Sequence, residues 1–343
     1  MGKILNAAVI GLGGMGRGHL NNYIRFTNEG DIIKLVAACD IDASKFGNEK
    51  SNFNIEGIDA GGYDFSKFHC YTDMDEMLEK EELDLVTVAL PTYMHADVTC
   101  KILNKGINVF CEKPMSLHVP ECQRMIDTAK ANGKKLMIGQ VLRFWGEYEV
   151  LKSYFVSGKL GAPVSGYYWR GGGTPTGSYQ GWYLKRECSG GCIKDQHVHD
   201  VDMVQYLYGM PKAVQTNAKI VIPGSGYDMV STNYIFDEPM AVNAQDDWTL
   251  SGLGFEMAFR VNFTEGSIYL DNKGFRVCPK NGDPFTPEFD ADNAYYKEIR
   301  YFANSIINGT ENTVNPPEAS LQTIRLVEAE NESADKGGII VNL

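Results

Sequence analysis

Apolar runs alternate with amphipathic stretches from the start of the chain to about residue 140. Residues 7–10, 33–39, 83–90 and 107–111 are almost continuously apolar and of strand length. Such uniform hydrophobicity predicts strands buried on both faces. Between them, residues 16–26 and 95–104 carry helical spacing, and Thr72-Asp73 opens an acidic helix over 74–79. Strand and helix in turn predict βαβ units and a parallel sheet. Residues 52–71, with Gly57, Gly61, Gly62 and Tyr63, read as a long loop.

Beyond Ala162 the period changes. Phe255, Met257, Phe259, Val261 and Phe263 alternate with Glu256, Ala258, Arg260 and Asn262, the pattern of a strand covered on one face. Asp271-Asn272-Lys273-Gly274 predicts a turn between strands at 268–270 and 275–278. Further strands are expected over 213–221, 230–236 and 241–250, and helices over 294–307 and 316–333. The reading is an α/β dinucleotide-binding domain over 1–142 and an α+β domain over 143–343. The second domain would hold a large, mostly antiparallel sheet, with its last helix packing back on the first. No internal repeat or low-complexity tract interrupts this pattern.

Composition narrows the function. A chain of 343 residues exceeds a single compact core and fits two domains. A net charge of −12 disfavours nucleic acid and anionic membrane surfaces, which need a basic face. No apolar stretch approaches the ~20 residues that span a bilayer. Residues 1–10 run straight into Gly11 and read as a strand, not a leader, and Asn6 stands where a myristoylation site at Gly2 needs Ser or Thr. Eight cysteines without a Cys-x-x-Cys pair suggest reduced thiols in a cytoplasmic protein, with neither a disulfide framework nor a metal site.

Three constellations carry chemistry. Gly11-Leu12-Gly13-Gly14-Met15-Gly16 is a Gly-x-Gly-x-x-Gly between a strand and a helix. It suits a tight turn, a close approach to a pyrophosphate, and anion binding at a helix N-terminus. Asp40, followed by Ile41, ends the second strand where a carboxylate accepts ribose hydroxyls and repels a 2′-phosphate, favouring NAD. A glycine-rich turn in an unrelated βα unit is the plainer alternative. Next come two strand ends, Leu90-Pro91-Thr92 and Glu112-Lys113-Pro114. An ammonium there suits negative charge developing on an alcohol oxygen, whereas a solvated charge pair is the competing reading. His95 either lines the cofactor side or caps and packs its loop.

The third constellation runs from Ser189 to Asp202. Read as one helix capped by Ser189, it sets Asp195, His199, Asp202 and Tyr206 on one stripe and Ile193, His197, Val201 and Val204 on the other. His199 then shares a polar face with a carboxylate, and its imidazole titrates where a base taking a hydroxyl proton should. His197 reads as a core or interface histidine.

These blocks, together with Arg143-Phe144, the Gly190-Gly191 lead and the C-terminal helix, resemble the glucose–fructose oxidoreductase / inositol dehydrogenase (Gfo/Idh/MocA) family along essentially the whole chain. The resemblance implies Lys113 and His199 as the catalytic pair and Asp195 as a substrate or orienting carboxylate. It implies a nicotinamide cofactor, a secondary alcohol of a sugar or cyclitol, and association through the open sheet face of the second domain. His197 and Lys194 depart from the family, which often carries a small and an apolar residue there.

Tyr167 to Cys188 is rich in aromatics and glycines, including Trp169, Trp182 and Tyr183. Aromatic faces on glycine-rich loops suit a pyranose, with Arg143, Lys185 and Arg186 for its hydroxyls; packing at a subunit interface is the alternative. The expected activity is an NAD-dependent dehydrogenase of a sugar, glycoside (at a pyranose 3-hydroxyl) or inositol hydroxyl. A redox-assisted glycosidase and a non-catalytic NAD- or sugar-sensing regulator are the competing functions.

Overall fold

The computed structural model describes residues 3–47 and 61–343. Gly2 and the part of the expected loop at 52–60, Gly57 included, lie outside the described residues. The chain divides into two compact units. The first comprises Met1–Val141, Gly177–Gln180 and Tyr295–Leu321, and the second Leu142–Thr176, Gly181–Ala294 and Gln322–Leu343.

In the first unit the chain runs β1 (Leu5–Ile10), α1 (Gly14–Glu29), β2 (Ile33–Cys39), β3 (His69–Tyr71), α2 (Met74–Lys80), β4 (Leu85–Val88), α3 (His95–Asn104), β5 (Asn108–Glu112), α4 (Val119–Ala131) and β6 (Leu136–Gly139). The strands form a six-stranded parallel sheet in the order β3-β2-β1-β4-β5-β6. This is the doubly wound Rossmann order, in which ligands lie beyond the carboxyl ends of the strands where the order reverses. Ala7, Ala8 and Val9 of β1 and Leu85, Val86 and Val88 of β4 are fully buried, which is why these strands show no polar alternation. Asp73 caps α2 by accepting from the N–H groups of Asp75 and Glu76. Within the expected loop, residues 69–71 form the edge strand β3, too short to leave a periodic signal.

The second unit begins with α5 (Gly146–Ser157) and β7 (Pro163–Gly171). Three short helices follow: α6 (Arg186–Ser189), α7 (Cys192–Asp195) and α8 (Val198–Tyr208). Then come β8 (Ala213–Lys219), β9 (Met229–Ile235), β10 (Ala241–Asp247), β11 (Glu256–Phe263), β12 (Gly266–Asp271) and β13 (Gly274–Pro279). The chain ends with α9 (Ala294–Asn308), α10 (Pro317–Asp335) and β14 (Ile340–Asn342). Eight strands pair in the order β13-β12-β11-β7-β10-β9-β8-β14, all antiparallel except β7 against β10.

One face of this sheet buries Phe259, Val261, Phe263, Ile268 and Val277. The other carries Tyr167, Asn233, Asn243 and Arg260, none of them buried. The inward register of β11 starts later than its hydrophobic run: Phe255 precedes the strand and is exposed. Helix α9 packs with the first unit, where Tyr296 stacks on Phe26 at 4.1 Å between ring centroids and Arg300 pairs with Asp31 at 2.5 Å. Among the described residues no helix is long and apolar enough to cross a membrane.

Candidate functional site

In the first unit the carboxyl ends of β1, β2, β4 and β5 bring four sequence blocks to one edge. Gly11 follows β1 at φ +88°, and a Cβ there would sit 2.4 Å from the carbonyl oxygen of Ala89. A Cβ on Gly16 would fall 1.7 Å from the carbonyl oxygen of Gly11, so only glycine lets α1 lie this close to the turn. Gly13 is different. A Cβ there would meet nothing within 4 Å, and as the N-cap of α1 it offers no side chain to the first helical N–H groups. With Gly14 and Met15 in the first turn, the N-terminus of a sixteen-residue helix stands open to an anion.

Asp40 ties β2 to this turn. Its Oδ2 accepts from Leu12 N at 2.7 Å and its Oδ1 from Asp42 N at 2.9 Å. Ile41 beside it is 77% exposed, an apolar surface at the rim of the same edge. These features fit a dinucleotide: a cradle that tolerates close approach, a carboxylate for ribose hydroxyls and an exposed apolar neighbour.

His95 is buried, with Nδ1 2.8 Å from Pro114 O and Nε2 2.8 Å from Leu90 O. Burial pulls its pKa below the ordinary value, and the ring staples the Leu90-Pro91-Thr92 turn to the turn after β5. Glu112 is buried at the end of β5, accepting from His19 Nε2 at 2.6 Å and from Lys113 N at 3.1 Å. Burial raises its pKa, but the His19 bond and the Lys113 charge more than offset this and hold it below the usual range. Lys113 itself is half-buried, and the Lys113–Pro114 peptide is cis.

In the second unit the segment read as one helix from Ser189 onward starts at the end of α6 and divides into α7 and α8. Gly190 (φ +78°) and Gly191 (φ +83°) turn the chain between α6 and α7, and a second break at Gln196-His197 precedes α8. Ser189 is therefore not a helix cap: its hydroxyl donates to Tyr183 O at 2.7 Å and accepts from Gly191 N at 3.0 Å. His199, Asp202 and Tyr206 keep their helical spacing on α8, while Asp195 ends α7 and is not on that stripe. Asp195 and His199 are half-buried.

His197 is fully buried, with Nδ1 donating to Asp246 Oδ2 at 2.5 Å and Nε2 3.3 Å from Glu330 Oε2. Burial alone would lower its pKa, but the charges of Glu330 and Asp246 win and push it up to about 10. It is a charged clamp joining the α7–α8 break to β10 and α10.

Two buried arginines hold α8 from other directions. Arg143 donates twice to Asp202, both at 2.8 Å, and Arg170 twice to Asp200, both at 3.1 Å. Asp200 is pushed up to about 6 by burial, against the pull of Arg170. Arg143 thus meets a carboxylate of its own unit, which makes it an anchor for α8. Trp182 stacks on Tyr183 at 4.1 Å, and Lys185 nearby is exposed. The sequence reading missed His19, Arg170, Asp246, Glu298 and Glu330, all buried inside an apolar run or helix; His19, Arg170, Asp246 and Glu330 each meet a partner far along the chain.

Residues 5–140 match the family model described as oxidoreductase family, NAD-binding Rossmann fold, and residues 148–269 match the GFO/IDH/MocA C-terminal domain. The chain belongs to the Gfo/Idh/MocA oxidoreductase family. Its first unit is the NAD-binding domain of that family. The chain spans about half the length of several curated Gfo/Idh/MocA-type relatives it matches. One is 2,7-anhydro-N-acetylneuraminate hydratase of Mediterraneibacter gnavus, 31% identical over 58% of this chain and 54% of that protein. The NAD(+)-dependent scyllo-inositol 2-dehydrogenase of Bacillus subtilis is 26% identical over 92% of this chain and 90% of its own. A levoglucosan dehydrogenase, solved with NADH and levoglucosan, shares the fold with a TM-score of 0.83 at 18% identity, covering 99% of both chains.

Proposed function

We propose that this chain is an NAD-dependent oxidoreductase acting on a secondary hydroxyl of a sugar, glycoside or inositol ring. The observation that carries the reading is the single sheet edge shared by the open Gly13 cradle, Asp40 and Lys113. NAD would be held by Gly11–Gly16 at the pyrophosphate, by Asp40 at a ribose, and by Ile41, Leu90, Pro91, Thr92, His95 and Glu112 around it. Its nicotinamide would supply the hydride acceptor.

The Lys113 ammonium would lower the charge on the substrate oxygen as its proton leaves. His199 would take that proton as general base, with Asp195 orienting the substrate or the ring. Trp182 and Lys185 would receive the rest of the sugar, its C–H face on the indole and a hydroxyl on the ammonium. The half-buried Tyr167 and Asn243 and the exposed Asn233 on the open sheet face support a second copy of the chain as the partner there. Eight cysteines without a Cys-x-x-Cys pair support a reducing compartment such as the cytoplasm.

The test is NADH formation across a panel of pyranosides and inositols, with pyranose 3-hydroxyls among the positions offered. Formation with one class assigns the substrate; silence across the panel sinks the dehydrogenase reading. A second reading follows from the likeness to a hydratase of an anhydro-sugar. The same residues would then oxidise the ring transiently and restore it, and a glycoside would lose its aglycone without NADH accumulating.

A further inference from the structure

Glu298 on α9 is fully buried, and among the described residues neither carboxyl oxygen meets a hydrogen-bond partner. Helical spacing sets Tyr295, Glu298 and Phe302 on one face of α9. Tyr295 lies 6.2 Å from the His19 ring and Phe302 lies 6.3 Å from Phe110, centroid to centroid. Phe110 and Glu112 are two apart on β5 and so project from the same side of the sheet. Glu298 is therefore enclosed between α9, α1 and the end of β5, facing Glu112.

The titratable groups around it can be named. Glu112 comes from β5, with Lys113 beyond it; His19 and Tyr23 come from α1, and Tyr295 from α9 itself. Tyr23 is committed to Thr87 at 2.7 Å, and His19 spends Nε2 on Glu112, leaving Nδ1 buried without a partner among the described residues. A charged Glu298 would thus lie buried against a second carboxylate, with no cation hydrogen-bonded to it among the described residues. Burial and the neighbouring Glu112 both push its pKa well above the ordinary carboxyl range, while Glu112 moves the other way. Two carboxyls whose surroundings drive them apart divide into one acid and one base.

We propose that Glu298 is a positioning residue, a neutral carboxylic acid kept beside Glu112 so that the strand end carrying Lys113 holds one buried negative charge and not two. Its proton leaves only well above the ordinary carboxyl range. The second charge then repels Glu112, loosens the His19–Glu112–Lys113 N–H arrangement and moves Lys113. The effect on turnover rests on the dehydrogenase reading above; the protonation itself does not.

The experiment uses the full chain as wild type, Glu298→Gln, which mimics the neutral acid, and Glu298→Ala. Folding equilibrium constants are measured from about pH 5 to about pH 9. An acid with a raised folded pKa takes up a proton on folding, so wild-type stability falls with rising pH relative to Glu298→Gln, by up to tenfold per pH unit. The fall starts at the ordinary carboxyl value and stops at the folded one. Parallel curves over the whole range overturn the proposal.

The infrared carbonyl band of a protonated carboxylic acid should be present in wild type at neutral pH and absent in Glu298→Gln. Its absence from wild type also overturns the proposal. With a turned-over substrate in hand, Glu298→Gln should restore kcat lost in Glu298→Ala, leave KM in place and shift the alkaline limb of the pH profile. An unshifted limb overturns the positioning role. Absence of turnover in wild type counts against the dehydrogenase reading alone, since the stability and infrared results still decide the protonation.

Discussion

The two units bury charge by opposite means. Under Lys113 in the first unit, the buried groups are two acids and an imidazole, with Glu298 lacking a hydrogen-bond partner among the described residues. Beside His199 in the second unit, the buried groups are matched cation to anion: Arg143 to Asp202, Arg170 to Asp200, and His197 to Asp246 and Glu330. The difference follows from the sheets. A parallel sheet wrapped by helices is apolar throughout and confines its chemistry to one edge, so polar groups there stay few and neutral where they can. The mostly antiparallel sheet turns Arg170 and Asp246 into its own interior, and only ion pairs make that tolerable.

The comparison breaks most sharply at Lys113. Lys113→Met should cut turnover on the order of 10²- to 10⁴-fold while NAD affinity persists, since the cradle at Gly11–Gly16 is untouched. Steady-state rates and a fluorescence titration of NAD check both halves. Next is Asp200→Ala, which strands Arg170 in the interior and should cost about 3–5 kcal/mol in denaturant unfolding.

An effect that depends on pH comes from His197. Its folded pKa of about 10 exceeds the ordinary 6.5, so its contribution is complete below pH 6.5 and is lost as pH rises through about 10. Stability should decline over that window by up to about 1.4 kcal/mol per pH unit, and His197→Gln should flatten the slope. The opposite variant in the first unit, Glu298→Gln, acts earlier in pH, which separates the two clusters. The smallest expected change in stability is for Gly13→Ala, within about 0.5 kcal/mol because the site is open, yet NAD should bind more weakly.

The first unit was largely legible because its signals are local. β1, the glycine turn, α1 and Asp40 lie within forty residues, and hydrophobic runs mark β2, β4 and β5 directly. β7 was not legible, although it lies at the centre of its sheet. Tyr168 and Arg170 are its inward residues, Tyr167 and Trp169 face the other way, and an inward arginine defeats a hydrophobicity alternation. Only Asp200, thirty residues on, explains why Arg170 points inward.

The separation of His197 from His199 survived although the single helix behind it did not. Both breaks leave His197 with the buried Ile193, Val201 and Val204 and leave His199 half-buried. His19 and Glu298 gave no signal, since a lone histidine and a lone glutamate on amphipathic helices look like surface residues until the fold closes over them.

Asp40 carries a last consequence. The carboxylate that would greet a ribose also grips the peptide N–H of Leu12, so recognition and architecture share one side chain. Swapping it for a smaller or basic residue, the usual route towards a phosphorylated coenzyme, would release the glycine bend at the same stroke. A switch of coenzyme in this scaffold therefore calls for a second change that re-tethers Leu12.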